Sequence, residues 1–224
     1  MKLIKYADDE ILAMDLANML AGELKNVLVH EERASLVVPG GTTPGPIFDS
    51  LCAADLDWSR VDVMLSDERW LPEAHVRSNA RLIRERLLQS RATNAVFHPY
   101  YTGAATPDGA LADIEANILP SLPISVLLLG MGEDMHTASL FPRAGGLEAA
   151  LNSETSAILA PISAPDQREA RVSMTANTLN GALSKHLVII GQAKLTALER
   201  AATLPKEKAP VNAVLEGMTV HWAP

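Results

Sequence analysis

Asp134 and His136 stand two residues apart in Gly130-Met131-Gly132-Glu133-Asp134-Met135-His136-Thr137-Ala138-Ser139-Leu140-Phe141-Pro142. An imidazole beside a carboxylate is a general base suited to neutral pH. The same pair can also be purely structural, with the ring satisfied by backbone. A second segment, Pro39-Gly40-Gly41-Thr42-Thr43-Pro44, offers two glycines and two hydroxyls. Glycines let the backbone approach an anion, and hydroxyls with free helix N–H groups hold phosphate oxygens. It lacks the Walker A lysine and the dinucleotide-binding spacing, and by itself it reads equally as an ordinary turn. Ser66-Asp67-Glu68-Arg69-Trp70-Leu71-Pro72 sets three charges directly after an apolar run. Acidic neighbours there fix the Arg69 guanidinium for a sugar or phosphate oxygen; the plainer alternative is a surface ion pair. Asn79 follows as a candidate substrate contact or as a helix cap. Arg171 opens Arg171-Val172-Ser173-Met174-Thr175, where it faces either a pocket or the surface. Lys194 falls in the first turn of a helix opened by Gly191-Gln192-Ala193. A cation there opposes the helix dipole unless an anion lies between them.

The elements that must position these residues follow from periodicity. Asp8 or Asp9 caps a helix of roughly two dozen residues, with Ile11, Leu12, Met14, Leu16, Met19, Leu20, Leu24 and Val27 as its apolar stripe. Strands are expected at Ala34–Val38, Val61–Leu65, Ile124–Leu129, Ala157–Pro161, Arg171–Thr175 and Leu187–Ile190, with Met218–Trp222 as an edge strand. Helices are expected after Thr42 or Thr43 as cap, and at 79–88, 176–183 and 192–202. Arg81, Arg84 and Arg86 face water. Ile124–Leu129 is apolar on both faces, as a central parallel strand is. This alternation predicts one domain over 1–224, a three-layer α/β/α fold with a mostly parallel central sheet. In such sheets ligands bind at the carboxyl ends of the strands, and the chemistry-bearing segments fall there.

Composition narrows the rest. Apolar residues at 48% and charged residues at 21% exclude intrinsic disorder for the bulk of the chain. The net charge of −8 argues against general nucleic-acid binding, while leaving room for a local basic pocket. Cys52 is the single cysteine, so neither an internal disulfide nor a thiolate metal cluster is expected. His30, His75, His98, His186 and His221 fall in no ligand spacing and read as surface or capping residues. No apolar run approaches a membrane span, and the early acidic residues argue against a secretory leader. A cytoplasmic protein is the expectation.

The five segments, in this order, resemble the 6-phosphogluconolactonases of the glucosamine-6-phosphate isomerase/deaminase superfamily. The resemblance runs from about Leu36 to Lys194. GMGEDMHTASLFP is its most specific part, and PGGTTP and SDERWLP come next. It implies a fold similar to the sugar-phosphate isomerases and CoA transferases. It implies hydrolysis of 6-phospho-D-glucono-1,5-lactone to 6-phosphogluconate in the oxidative pentose phosphate pathway, with no organic cofactor and no required metal. It implies a phosphosugar lactone as partner, and a monomer or small homo-oligomer. His136 takes the place of the family's general base, and Asp134 orients it or contacts the sugar. The implied substrate-binding set is Gly40, Gly41, Thr42, Thr43, Asp67, Arg69, Asn79, Gly132, Arg171 and Lys194, with the phosphate against Gly41, Thr42 and Thr43 under Arg171 and Lys194.

One position departs from the family pattern. Members usually carry glycine between the Asp and the His, where this chain has Met135. A left-handed backbone there would cost about 1–3 kcal/mol, so either a reshaped loop or a φ that is not positive to begin with is expected, with Met135 narrowing the sugar pocket. Two rival functions are weighed. The glucosamine-6-phosphate deaminases share the loop pattern but continue after their His as Ile-Ala-Phe-Asn-Glu-Pro. Here Thr137 to Pro142 has no carboxylate before the proline. A non-catalytic sugar-phosphate sensor would keep the anion-binding residues without needing His136.

Overall fold

The computed structural model describes residues 1–164 and 169–224. Its strands are β1 (Lys2–Lys5), β2 (Ala34–Val38), β3 (Val61–Leu65), β4 (Asp67–Arg69), β5 (Val96–Phe97), β6 (Val126–Gly130), β7 (Leu159–Ile162), β8 (Arg171–Met174), β9 (Ser184–Ile190) and β10 (Thr219–Ala223). Its α-helices are α1 (Asp9–His30), α2 (Gly45–Leu51), α3 (Asn79–Arg86), α4 (Leu111–Ile118), α5 (Leu147–Leu151), α6 (Ala176–Asn180) and α7 (Gln192–Ala201). Seven strands form one sheet in the order β1-β10-β9-β6-β2-β3-β5. Every pairing in it is parallel. Helices flank this sheet, as the alternating pattern predicts.

Helix α1 shows why the local sequence folds as it does. The Asp8 carboxylate accepts from the Ile11 N–H at 2.7 Å, and Asp9 and Glu10 favour the positive end of the dipole. Leu12, Leu16, Leu20 and Leu24 are buried at four-residue spacing, while Ile11 and Met14 of the expected stripe face outward. Each buried leucine contributes about 1.5–3 kcal/mol by leaving water. Strands β2 and β3 are buried at every residue, which is what the middle of a parallel sheet requires.

The structure corrects several expectations. Thr42 and Thr43 do not cap α2; the cap position is Pro44, which has no side-chain hydrogen bond to give. Ser78, not Asn79, caps α3, accepting from the Arg81 N–H at 3.3 Å. The stretch 219–223 is no edge: β10 lies between β1 and β9. His221 points from it into a buried chain of polar groups, so the strand looks half-polar although it is interior. His98, His186 and His221 are buried rather than on the surface. His98 bonds Asp62 at 3.0 Å, and Glu23, His186, His221 and Tyr6 form a continuous hydrogen-bonded row. Arg171–Met174 leaves the parallel sheet altogether. It forms a second, antiparallel sheet in the order β4-β8-β7.

That small sheet is what shapes the functional end. Only Ser66 separates β3 from β4, and its N–H donates to the Val38 carbonyl at 2.9 Å while its carbonyl accepts from Met174. The chain therefore turns sharply out of the main sheet and stands β4 and β8 over the carboxyl end of β2. In the main sheet, β2 and β6 are neighbours whose following connections run in opposite directions, towards β3 on one side and β9 on the other. A crevice opens at such a switch point.

Candidate active site

Around this crevice lies a cleft of about 290 Å³, small among ligand pockets. Its lining includes Gly40, Gly41, Thr42, Thr43, Asp67, Arg69, Asn79, Gly132, His136, Arg171 and Lys194. Every sequence-predicted site residue except Asp134 is on its wall. Pro39, Pro44, Gly130, Met131, Ala138 and Phe141 complete it.

The base comes from the turn after β6. The Gly132 N–H donates to the His136 carbonyl at 3.0 Å, and the Met135 N–H to the Gly132 carbonyl at 2.9 Å. This tight closure brings Asp134 Oδ1 to 2.5 Å from His136 Nδ1, and the same oxygen accepts from the His136 backbone N–H at 3.2 Å. Burial raises the Asp134 pKa, but the hydrogen bond and charge of His136 outweigh it and hold the carboxyl below its usual range. Gly132 leaves the room for this pair: a Cβ there would lie 2.3 Å from His136 Cε1 and 2.6 Å from Asp134 Oδ1. Met135 does have the left-handed conformation, with φ +68°, so the expectation that φ is not positive fails. Its side chain turns into the core at 7% exposure and is absent from the cleft wall, so it does not narrow the sugar pocket. Packing of that side chain, and the Val211 N–H on the Met135 carbonyl at 3.1 Å, hold the turn in place.

The opposite wall is cationic. In the antiparallel register Arg69 is directly across from Arg171. Like charges facing each other across two strands are unfavourable by themselves, so the arrangement suits an anion between or beside them. Burial lowers the Arg171 pKa, Asp67 supports its charge and Arg69 opposes it, for a net shift below the usual guanidinium value. Arg171 Nη1 donates to Ser139 Oγ at 3.2 Å, and Ser139 Oγ donates to Asp67 Oδ2 at 2.5 Å. Arg69 Nη1 donates to the Arg77 carbonyl at 2.6 Å, while its buried Nε has no hydrogen-bond partner among the described residues. Lys194 joins from the first turn of α7. Gly41, at φ +90°, makes the turn that carries the two threonines past this wall.

Two contributors escaped the sequence reading, and a third has another role than expected. Phe141 stacks on His136 with ring centroids 4.2 Å apart, and the Arg171 guanidinium sits 5.0 Å from the same ring. Ser139 bridges Asp67 and Arg171. Glu68, expected with Asp67 to fix the Arg69 guanidinium, is instead fully buried and accepts from the Arg69 backbone N–H, while the guanidinium is held by the Arg77 carbonyl. Phe141 and Ser139 lie in a segment that drew notice, but the Arg171 and Asp67 they meet are far away in sequence, and nothing local announces those contacts.

A parallel sheet that presents cations and an imidazole to one cleft at its switch point defines an α/β enzyme for small anionic substrates. Residues 7–222 match the family described as glucosamine-6-phosphate isomerases/6-phosphogluconolactonase, and the chain belongs to that family. It is 42% identical over 216 residues to a 6-phosphogluconolactonase of Pseudomonas aeruginosa, covering 95% of this chain and 90% of that one. A 6-phosphogluconolactonase of Pseudomonas putida is 37% identical, over 100% of this chain and 93% of that one. Among solved structures, a 6-phosphogluconolactonase from Shewanella baltica superposes with a TM-score of 0.95 at 32% identity, covering 100% and 98% of the two chains. A monomeric glucosamine-6-phosphate deaminase shares the fold, with a TM-score of 0.80 at 16% identity over 100% and 97% of the chains.

Proposed function

We propose that this chain hydrolyses 6-phospho-D-glucono-1,5-lactone to 6-phosphogluconate, with His136 as general base. The observation that carries the mechanism is the bond from Asp134 to His136 Nδ1 on a ring that borders the cleft. A carboxylate on Nδ1 keeps the proton there and leaves Nε2 as the basic nitrogen. Nε2 takes a proton from water as the water oxygen attacks the C1 carbonyl. The tetrahedral centre then collapses, the C1–ring-oxygen bond breaks, and the imidazolium returns its proton to the departing oxygen. One water is consumed and the enzyme is restored.

A lactone is already an activated ester, so a covalent nucleophile is unnecessary. General-base assistance in the range of about 10²–10⁴-fold, with positioning, serves the reaction. Positioning comes from the far end of the substrate. Its phosphate, near −2 in charge, suits Gly41, Thr42 and Thr43 below and Arg171 and Lys194 above. Arg69 with its open Nε is placed for a further substrate oxygen. Binding energy gathered there holds the lactone against His136.

The test is lactone hydrolysis, with substrate generated in situ and the spontaneous rate subtracted. His136→Ala is expected to bring turnover close to background while 6-phosphogluconate still binds. An unaccelerated wild-type reaction would sink the proposal. Ammonia release from glucosamine 6-phosphate, run alongside, would then point to the deaminase, and silence in both assays to a sensor.

A further inference from the structure

Glu68 is a carboxylate with no exposure to solvent and no place on the cleft wall, and no ion pair involves it among the described residues. Its oxygens are nonetheless fully used. Oε1 accepts from the Arg69 N–H at 2.7 Å and the Asn79 N–H at 2.8 Å. Oε2 accepts from the Ala80 N–H at 2.8 Å and from Ser78 Oγ at 3.1 Å. Three of these four donors belong to the first turn of α3 and its cap, so the negative charge also sits where the helix dipole favours it. The fourth is the backbone of the residue that supplies the cleft guanidinium.

The consequences reach the cleft through Asn79. Its Nδ2 donates to the Asp67 carbonyl at 2.8 Å, and its Oδ1 lies so close under Gly40 that a Cβ at Gly40 would fall 1.8 Å from it. Gly40, Asp67, Arg69 and Asn79 all line the cleft; Asp67, Arg69 and Asn79 are each one contact or one peptide away from Glu68, and Gly40 is reached through Asn79. We propose that Glu68 is a positioning residue for the phosphosugar: it sets the wall formed by Gly40, Arg69 and Asn79, and thereby substrate affinity, without touching the substrate. This rests on the lactonase reading above. His136 lies on a different loop, after β6, so the chemical step is expected to be insulated from Glu68.

Glu68→Gln is the direct test. Whichever way the amide turns, its NH₂ meets a backbone N–H that the carboxylate had satisfied. At the Oε1 position it faces Arg69 and Asn79; at Oε2 it faces Ala80, since the Ser78 hydroxyl can turn to accept. The first turn of α3 must then draw back. The expected result is a KM raised about tenfold with kcat within about twofold of wild type, the signature of binding lost equally from ground and transition states. Ser78→Ala removes one of the four donors and is the milder variant, expected to raise KM about two- to threefold by the same route. It decides the matter if Glu68→Gln does not fold. A fall in kcat at unchanged KM would mean only that less protein is folded, and would overturn the proposal, as would an unmoved KM. If the wild type does not hydrolyse the lactone, the lactonase reading fails separately. Calorimetric affinity for 6-phosphogluconate then judges Glu68 on the same variants. Affinity that weakens across them supports the proposal; unchanged affinity, or no binding by the wild type, refutes it.

Discussion

Replacing Met135 sets two effects against each other, and comparing two variants separates them. The residue has φ +68° and its side chain is 7% exposed. Left-handed backbone costs a residue with a Cβ about 1–2 kcal/mol. Removing a buried methionine side chain costs about 2–5 kcal/mol. Met135→Ala keeps the strain and loses the packing. Met135→Gly loses the same packing but relieves the strain, while giving the unfolded chain extra freedom worth about 0.5–1 kcal/mol. The glycine variant should therefore be the more stable by about 0.5–1 kcal/mol, the reverse of the usual order of alanine and glycine. Both should be less stable than wild type, because the packing term is the larger. With a urea slope of about 2–3 kcal/mol per molar, the two midpoints should differ by about 0.2–0.5 M. Lactone turnover should stay within a few-fold of wild type in both, since Met135 is off the cleft wall and its backbone bonds to Gly132 and Val211 survive. An alanine variant as stable as the glycine variant would refute the claim that strain is stored at this residue.

Three further outcomes are expected. Gly132→Ala places a Cβ 2.3 Å from His136 Cε1, so kcat/KM should drop by about 10²-fold or more, the scale of general-base assistance, with a nearly unchanged melting curve. Ser139→Ala removes the hydroxyl that bridges the buried Asp67 and Arg171; losing these hydrogen bonds to charged groups should cost about 1–3 kcal/mol in urea unfolding, and KM should rise. Acid stability reports on His221. Burial, then neighbouring His186, lower its pKa from 6.5 to about 4. The unfolded state thus binds more protons between those values, and stability falls as pH falls through that window. The loss from this group is about 2 kcal/mol at pH 5 relative to pH 8, read as the difference in pH slope between wild type and His221→Gln.

What the sequence made legible follows from which signals are local. Strand β6 is a continuous apolar run, and β2 and β3 are apolar but for Ser35 and Asp62, so all three were readable as strands of the parallel sheet. The glycine and hydroxyl turn at 39–44 and the Asp134–His136 spacing are local too, and so was the helix-start position of Lys194. Strands β1, β4 and β5 are at most four residues long, too short to show a period. The register that sets Arg69 opposite Arg171 joins segments about a hundred residues apart, and no local pattern encodes it. His186 and His221 misled because a histidine reads as polar; each is interior only because the other, with Glu23 and Tyr6, satisfies its ring nitrogens. Met135 misled for the opposite reason. Sterics alone disfavour it at positive φ, and tertiary packing overrides them.

The order of the main sheet bears on how the molecule is made. Strand β1 has one neighbour, β10, and Lys2 is paired with Thr219. The separation is 219 − 2 = 217 residues. At about 5–20 residues per second, roughly 10–40 s of synthesis pass before the partner of the amino-terminal strand exists. In the last part of that interval, once residues 184–190 have been made, β9 offers a bare flank of N–H and C=O groups on the side that β10 will occupy, while β6 covers the other. An open flank of this kind templates pairing with other chains. The hazard of misassembly is thus concentrated late in translation, at the edge remote from β5, and it closes when 219–223 slide between the two waiting strands.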